Sequence, residues 1–581
     1  MMRAFAAIAT TSRGRKAEVY RSVEQAKSMG LMACLQTDRL AVLASGDLAF
    51  QSLKGIMGAV IGDVFPRHIP AAAKGAHGTA FEEMSDIFME DRAQAELWGD
   101  YVAVHIAADG SLRFIHSPCG SINLFYLACN DILFIASDSS TLLTLAGRRR
   151  SINWAAIAQN LVRDDVSSSE TCIDDVREIR CGEAGRWRGG AVSVEMAWNP
   201  WDYTETDIAI WSREEAVGLV RHELLRSVRA RRTVAGQFAI DLSGGLDSSI
   251  IAAACAVSGM EAACINLFDP ETEGDERRFA RCVADDLRFE LVEAIPSTDD
   301  VDLNLCARGH LPRPYTRSFV QAFDNAASQA ASRLGATVFL NGGGGDSVFG
   351  HLQSSGPVVD AVKSRGRAPS VIRTAHEVSR AAQCSIWDVA KKAGQKILRG
   401  SRPSQITASY DFVSAECGVI AETVTPQLPI PRTQPLPGKI EQVHGILRAL
   451  YNLNGFSRSD HMKGIFPLLS QPLVEACLRI PTWLSVGEGR NRLIARLAME
   501  SYLPQMAVWR TSKGGLGRLQ RDIVRTKRDQ IREMLLDGAL SGQGLIDRPA
   551  VERELKDEAS YRIENAYRLM RLCDIEAWCS A

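Results

Sequence analysis

The stretch 237–249 has residue types that suit the binding of a phosphate group and a metal ion. Its apolar start, 238–242, predicts a buried strand, Ser243-Gly244-Gly245 predicts a turn, and a helix is expected from about Asp247. Glycines let the backbone approach an anion, the first N–H groups of a helix attract it, and Ser243 and Ser248 add hydroxyl donors. Asp247 would repel a phosphate by itself, so its presence predicts a Mg²⁺ ion between the carboxylate and the phosphate.

A second glycine-rich loop follows another apolar run. Residues 337–340 predict a strand, and the four glycines 342–345 lead directly to Asp346. Such glycines allow a tight bend of the backbone against a ligand. A flexible surface loop would also be rich in glycine, but Asp346 and Phe349 at fixed positions after the glycines favour a binding site.

The elements between the two loops must bring them to one edge of a sheet. Strands are predicted over 263–268 and 289–295, and helices over 275–287 and 319–334. Strands that alternate with helices predict a parallel sheet with helices on both faces. Ligands of such sheets lie at the carboxyl ends of the strands, which is where both loops are expected.

The first 200 residues have a different pattern. Short apolar runs such as 40–43 and 132–136 are separated by turn residues, which predicts a β-rich, layered structure. The aromatic, proline-containing segment 198–203 is the expected connector, so we predict two domains, 1–204 and 205–581.

The composition predicts a globular, cytoplasmic protein. The chain has 581 residues, 46% of them hydrophobic, with 67 Lys and Arg against 69 Asp and Glu. This balance argues against general binding to nucleic acid or to a membrane surface. No apolar run reaches transmembrane length, and the run 4–9 is too short for the core of a signal peptide. The 14 cysteines include no CxxC pair, which is typical of reduced cytoplasmic thiols.

The two loop motifs together resemble a known family. Ser-Gly-Gly-Leu-Asp-Ser-Ser at 243–249 resembles the pyrophosphate loop of ATP pyrophosphatases, and most closely that of the asparagine synthetase family. The string at 340–350 is similar to the family's S-G-E-G-A-D-E-L-F-G segment. No Gly-Lys-Ser/Thr follows the first glycines, so the loop is not a Walker A loop. The resemblance implies a doubly wound, parallel-sheet synthetase domain that cleaves ATP to AMP and pyrophosphate through an acyl-adenylate.

The resemblance also implies the residues of the site. The segment Arg510-Thr511-Ser512-Lys513-Gly514-Gly515 resembles the family's R-x-K-x-G-F loop, which makes Lys513 the expected catalytic cation. Asp247 and Asp346 would share Mg²⁺. The residues expected to bind ATP are Leu242, Ser243, Gly244, Gly245, Asp247, Ser248, Leu267, Asn341, Gly342 and Asp346.

The first half resembles the family's glutaminase domain, an Ntn-type layered α+β fold, but departs from it. The resemblance rests on three segments, 97–103, 117–126 and 134–138. Family glutaminases use a cysteine at the mature N-terminus, whose own α-amine acts as the base. Here Met2 stands at that position, and the first cysteine is Cys34. We therefore expect a retained fold without amidohydrolase chemistry, which would serve as a scaffold or docking domain.

The synthetase half departs from asparagine synthetases where they hold aspartate. Lys463 and Ile465 stand where the family has the Glu and Arg that bind aspartate, and Gly343 replaces a glutamate near the attacking nitrogen. Glycine at 343 is expected to open space for a nucleophile bulkier than ammonia. The following string, P-L-L-S-Q-P-L-V-E at 467–475, is similar to that of lasso peptide cyclases, which belong to this superfamily.

These features favour an ATP-dependent lasso peptide cyclase. Such an enzyme adenylates an Asp or Glu side chain of a precursor peptide and joins it to the peptide's N-terminal amine, which forms a macrolactam. The expected partners are the precursor peptide, a leader-binding protein and a leader peptidase. Three alternatives stay open at this point: a glutamine-hydrolysing asparagine synthase, a β-lactam synthetase-like cyclase of a small molecule, and a nucleotide-binding scaffold without catalysis.

Overall fold

The fold is described from a computed structural model. It describes residues 3–67, 80–129, 131–163, 168–269, 275–315, 317–351, 354–366, 369–400, 402, 408–424, 427–456, 462–510, 517–556 and 562–581.

The N-terminal half contains most of the strands. Its strands are β1 (Phe5–Thr10), β2 (Met32–Gln36), β3 (Leu40–Ala44), β4 (Phe50–Ser52), β5 (Gly58–Pro66), β6 (Leu97–Ile106), β7 (Leu112–His116), β8 (Phe125–Cys129), β9 (Ile132–Ala136), β10 (Arg177–Glu178), β11 (Glu183–Arg188) and β12 (Ala191–Met196). Its helices are α1 (Lys16–Ser28), α2 (Ala80–Met89), α3 (Ala93–Glu96), α4 (Ser139–Leu145) and α5 (Trp154–Val162).

These strands form two antiparallel sheets, in the orders β10-β8-β9-β1-β3-β2 and β12-β11-β7-β6-β5-β4. Successive side chains of a strand point to opposite faces. Phe5 and Ala7 of β1 accordingly share a core with Val102 of β6, between the sheets. Ile8 faces the other way and packs with α1 and α5, while Tyr101 of β6 packs with α2. The β-rich expectation for this half is confirmed.

The C-terminal half adds five strands and the remaining helices. The strands are β13 (Phe238–Asp241), β14 (Ala262–Leu267), β15 (Leu291–Ala294), β16 (Val338–Leu340) and β17 (Lys463–Ile465). The helices are α6 (Arg213–Ala230), α7 (Leu246–Val257), α8 (Arg277–Leu287), α9 (Val320–Arg333), α10 (Gly345–Val348), α11 (Gly356–Arg365), α12 (Pro369–Ala381), α13 (Ile386–Arg399), α14 (Ala415–Thr423), α15 (Pro437–Asn452), α16 (Gln471–Leu478), α17 (Leu493–Met499), α18 (Gln505–Val508), α19 (Gly517–Thr526), α20 (Arg528–Asp537), α21 (Ala539–Gly542), α22 (Arg548–Lys556) and α23 (Ile563–Ser580).

The five strands form one parallel sheet in the order β15-β14-β13-β16-β17. Ile240 of β13 packs into a core with α6 and α7, whereas its neighbour Ala239 packs with α9 on the opposite face. The predicted parallel sheet with helices on both faces is therefore confirmed. None of the helices in the described ranges combines the length and the hydropathy that a membrane span requires.

The two halves share apolar packing. Ile8 and Ile157 of the N-terminal half lie in the same buried cluster as Leu535 of α20 and Leu572 of α23. The domain boundary at residue 204 stays a prediction, but side chains from both sides of it are buried together.

Candidate active site

A cleft of about 420 Å³ lies where β13 and β16 end. These strands are neighbours in the sheet, and the chain continues from β13 towards one edge and from β16 towards the other. Such a point of reversal is where parallel sheets bind their ligands. The predicted residues that line this cleft are Ser243, Asp247, Ser248, Asn341, Gly342 and Asp346.

Two other predicted residues, Leu242 and Leu267, do not line this cleft. Leu242 is fully buried; its N–H donates to the carbonyl of Ile265 (2.8 Å), and its carbonyl accepts from Asn266 Nδ2 (2.8 Å). Leu267 ends β14, one strand away, and does not line the cleft. Lys513 lies outside the described residues.

The pyrophosphate loop needs its first glycine for packing. Gly244 has φ +71°, and a Cβ there would lie 2.6 Å from the backbone nitrogen of Ala280 in α8. No side chain caps α7 at Gly245, and the hydroxyl oxygens of Ser243 and Ser248 are 3.1 Å apart. Uncapped N–H groups beside two hydroxyls are donors that a phosphate can accept. The donor set therefore fits a pyrophosphate group.

The second loop presses directly against the first. A Cβ on Gly342 would lie 2.9 Å from the backbone nitrogen of Ser248, and one on Gly345 would lie 2.6 Å from Cγ of Asp247. Such distances leave no room for a side chain, so both positions require glycine. This close approach brings Asp247 and Asp346 into one site.

One guanidinium joins these two carboxylates. Arg492 Nη1 donates to Asp247 Oδ1 (2.9 Å) and to Asp346 Oδ1 (2.6 Å). Arg492 directly precedes α17, which begins at Leu493, and its own backbone is left-handed, with φ +54°. Arg492 is not among the predicted site residues, since no local pattern indicates a contact with residues 245 and 146 positions away.

The geometry of these carboxylates fits a divalent cation. They already converge on a single positive nitrogen, and Mg²⁺ is commonly bound by one or two carboxylates plus substrate phosphates. Within the described ranges, there is no group of three or more His, Cys, Asp or Glu residues that could hold a metal. A metal at this place would therefore depend on phosphate oxygens for its other ligands, and Arg492 would have to move aside.

Asn341 joins the ends of the two central strands. Its Nδ2 donates to Asp241 Oδ2 (2.9 Å), and its Oδ1 accepts from the N–H of Gly343 (2.6 Å). A Cβ on Gly343 would lie 3.0 Å from that Oδ1 and 3.1 Å from the ring of Phe466. A side chain at 343 would require these two neighbours to shift slightly, and Gly343 itself lines the cleft. The expectation that glycine at 343 opens space for a bulkier nucleophile stays a prediction.

Arg510 attaches the chain before Lys513 to the pyrophosphate loop. Its Nη1 donates to the carbonyl of Gly244 (3.0 Å), it forms an ion pair with Glu276, and its guanidinium lies 4.0 Å from the centre of the Phe279 ring. Arg510 is predicted only as part of the motif around Lys513, and only the structure shows its contact with the loop.

Lys463 and Ile465 have structural partners. Lys463 forms an ion pair with Asp63 of β5, which belongs to the N-terminal half. Ile465 is buried in the core beneath the sheet. Neither side chain offers the carboxylate or guanidinium that a free amino acid substrate would need at these positions.

Comparisons with known proteins complete this description. The family model for asparagine synthase matches residues 219–415 and 444–580, which is more than half of the chain. No curated protein matches significantly. Two solved structures align with 75% of this chain at 10% identity. One is titled the structure of the allosteric regulatory enzyme of purine biosynthesis (98% of that chain covered, TM-score 0.19), and the other is glutamine phosphoribosylpyrophosphate amidotransferase from B. subtilis complexed with ADP and GMP (99%, TM-score 0.18).

TM-scores this low do not establish a shared fold, so the classification of this chain rests on the family match. It covers both loops of the cleft as well as Arg492 and Arg510. The chain belongs to the asparagine synthase family, and it is an ATP-dependent ligase that forms C–N bonds.

Proposed function

We propose that this ligase is a lasso peptide cyclase, which closes a macrolactam between an Asp or Glu side chain of a precursor peptide and the peptide's N-terminal amine. The observation that carries the proposal is the position of Lys463 and Ile465. Lys463 is paired with Asp63, and Ile465 is buried, so the contacts that would hold free aspartate are replaced by structural ones. A substrate that is held along its length does not need those contacts.

In the first step, a carboxylate oxygen of the peptide attacks the α-phosphorus of ATP, and the bond to the bridging oxygen breaks, so pyrophosphate leaves. Ser243, Ser248 and the start of α7 would hold the pyrophosphate. Asp247 and Asp346 would hold Mg²⁺, which neutralises phosphate charge when bound. Lys513 is proposed as a further cation for the charge that develops on the leaving group.

In the second step, the amine nitrogen attacks the acyl carbon, the amide bond forms, AMP leaves with the electrons of the acyl–oxygen bond, and the amine loses a proton. Both reacting groups belong to one peptide, so holding that peptide folded supplies a high effective concentration. We assign no general base.

The proposed partners follow from the substrate. A leader-binding protein would present the precursor, and a leader peptidase would free the amine that reacts. The N-terminal half would serve as a scaffold. Burial raises the pKa of Cys34, the first thiol in the chain, which disfavours the thiolate that amide hydrolysis would need.

The proposal is tested by following the nucleotide products. Protein, MgCl₂ and ATP are incubated with the core peptide, with an N-acetylated core peptide, or with aspartate plus glutamine. We expect release of AMP with the free peptide, and isotope exchange between ATP and pyrophosphate, without ring closure, with the acetylated one. Asparagine and glutamate formed from aspartate and glutamine, with the peptide untouched, would establish the asparagine synthase alternative instead. If neither the peptide nor aspartate with glutamine is turned over, a small-molecule cyclase is favoured. The scaffold alternative is not retained, because the chain belongs to a ligase family.

A further inference from the structure

A second and larger cavity, of about 690 Å³, lies between the two halves of the molecule. We call it the interdomain chamber. Its wall contains residues of the N-terminal half, among them Asn123, Val162 and Glu178, and residues of the C-terminal half, among them Leu428 and Tyr451. It is distinct from the 420 Å³ cleft in which the two loops meet.

Helix α15 separates the chamber from the cleft. His444, Leu447, Arg448 and Tyr451 line the chamber, at the spacing of one helix face. Gly445, Arg448, Ala449 and Asn452 have the same spacing and line the cleft. Arg448 belongs to both sets. The two cavities are therefore neighbours, and a single exposed side chain stands at their junction.

Several polar groups of the chamber wall have hydrogen-bond or ion-pair partners. Glu178 forms an ion pair with Arg313 (3.0 Å), and Asn454 Nδ2 donates to Asn123 Oδ1 (2.8 Å). The wall also contains apolar side chains, including Val162 and Leu447. A wall that combines apolar surface with polar side chains suits a ligand with apolar parts and amide groups.

The volume of the chamber is also informative. It lies within the ~300–1,000 Å³ of pockets that enclose drug-sized ligands, which is far more space than ammonia or free aspartate needs. Beside a cleft whose motifs indicate ATP, such a space suits a substrate that reaches well beyond its reacting carboxylate.

We propose that the interdomain chamber binds the non-reacting residues of a peptide substrate, and that the peptide passes Arg448 to place its acceptor carboxylate in the cleft. This inference rests on the proposed function. The proposed function names the substrate, and this inference adds where the substrate binds. Helix α15 would then separate the bound peptide from the bound nucleotide. The chamber is then a specificity site, because its wall contacts side chains that take no part in the reaction.

The test fills the chamber without touching the cleft. Leu447→Trp narrows it from α15, and Leu428→Trp narrows it from a different segment of the wall. Val419→Trp, on the exposed side of α14, is the matched control. For each protein, binding of a fluorescein-labelled core peptide is measured by anisotropy, and binding of a non-hydrolysable ATP analogue is measured separately. Melting temperatures show whether the variants fold.

We expect at least one folded chamber variant to bind the peptide about tenfold more weakly, with nucleotide affinity unchanged, while the Val419→Trp control matches the wild type. If both folded chamber variants bind and cyclise the peptide as the wild type does, the chamber is not the peptide site and the proposed function survives. If the wild type neither binds nor cyclises the peptide, the proposed function fails and the inference fails with it.

Discussion

At the scale of residues, the centre of the site is the group of Asp247, Asp346 and Arg492. One guanidinium nitrogen lies within 3.0 Å of both carboxylates, and it neutralises part of their mutual repulsion. The same arrangement marks the place where a metal would have to enter. Arg492 is thus proposed to hold the site together until Mg²⁺ and ATP arrive.

Asp346→Asn should abolish adenylation while the protein stays folded. The amide keeps the shape of the side chain but loses the charge that a Mg²⁺ ligand at this place would supply. We expect exchange of label between pyrophosphate and ATP to fall by about 100-fold or more. Asp299→Asn, at an exposed turn, is the control and should exchange normally. Normal exchange in the Asp346→Asn variant would refute the metal assignment.

Arg492→Ala should strengthen the binding of Mg²⁺ in the absence of nucleotide. Without the guanidinium, a metal no longer has to displace this cation from between the two carboxylates. We expect added MgCl₂ to raise the melting temperature of this variant more than that of the wild type. The control is Arg490→Ala, whose guanidinium donates to the carbonyl of Gly489. An equal Mg²⁺ effect in all three proteins would contradict the assignment.

Sequence alone predicts the carboxylates but not their partner. Asp247 and Asp346 each follow an apolar strand and a run of glycines, so their common location follows from the rules of parallel sheets. Arg492 contacts both carboxylates from a position just before α17, where its own backbone is left-handed. Gly343 shows the same limit, because the ring beside it belongs to Phe466, more than a hundred residues away.

At the scale of elements, α16 attaches the synthetase sheet to the N-terminal half. Glu475 of α16 is buried and accepts two hydrogen bonds from Arg67 (both 2.7 Å), as well as one from Trp198 Nε1 (2.8 Å) and one from Gln471 (2.9 Å). A buried carboxylate such as that of Glu475 is stable only while its ion-pair and hydrogen-bond partners are present.

Glu475→Leu should destabilise the protein strongly, because it leaves the Arg67 guanidinium without its counter-ion. The expected loss is about 3–5 kcal/mol, and the double variant Arg67→Met with Glu475→Leu should recover most of it. Urea unfolding of the wild type, both single variants and the double variant measures this. Single losses that simply add in the double variant would show that the pair is not coupled.

The contact between α11 and α15 should depend on pH. Asp360 of α11 is buried and accepts from the N–H of Gly438 (2.8 Å) and the hydroxyl of Thr482 (2.7 Å), and burial raises its pKa to about 6. The folded state therefore binds the proton of the Asp360 carboxyl more tightly than the unfolded chain does. The stability that this proton contributes is fully present below about pH 4 and is lost as the pH rises through 6.

Asp360→Asn removes this titration. The free energy of unfolding of the wild type, minus that of the variant, should fall by up to about 3 kcal/mol between pH 4 and 6. Just above pH 6 this difference should stay level. The pKa of the neighbouring Lys439 is lowered by burial to about 7, so it titrates above this window. Melting temperatures of both proteins across the range provide the measurement. A constant difference from pH 4 to 6 would contradict the assigned pKa direction.

An apolar run makes a strand predictable from the sequence even when the strand is short. The strands from β13 to β16 have such runs, including three-residue β16, whereas β17 consists of Lys463, Gly464 and Ile465 and has none. The proline-rich segment 427–437 is held by the N-terminal half, where Trp201 Nε1 donates to the carbonyl of Pro429 (2.8 Å). Its last proline, Pro437, is the first residue of α15. The N–H groups of the first turn have no acceptor within the helix, so proline is tolerated there.

At the scale of the whole molecule, the two halves are joined by a common core. Side chains of β1 and α5 pack with those of α20 and α23, and the guanidinium of Arg150 lies 4.2 Å from the ring centre of Trp578. No pattern in the sequence indicates this packing, because it joins segments that are several hundred residues apart. The interdomain chamber exists only because the halves meet, so its presence could not be predicted either.

If this ligase closes a peptide ring, the mass of the peptide must change. Leader-free candidate core peptides, each with an Asp or Glu acceptor, are incubated with the purified protein, ATP and MgCl₂, and their intact mass and fragmentation are recorded. The expected product is lighter by one water, and its N-terminal residue and an Asp or Glu fragment as one linked unit. An unchanged peptide mass, with asparagine formed when aspartate and ammonia are supplied, would contradict the proposed ring closure.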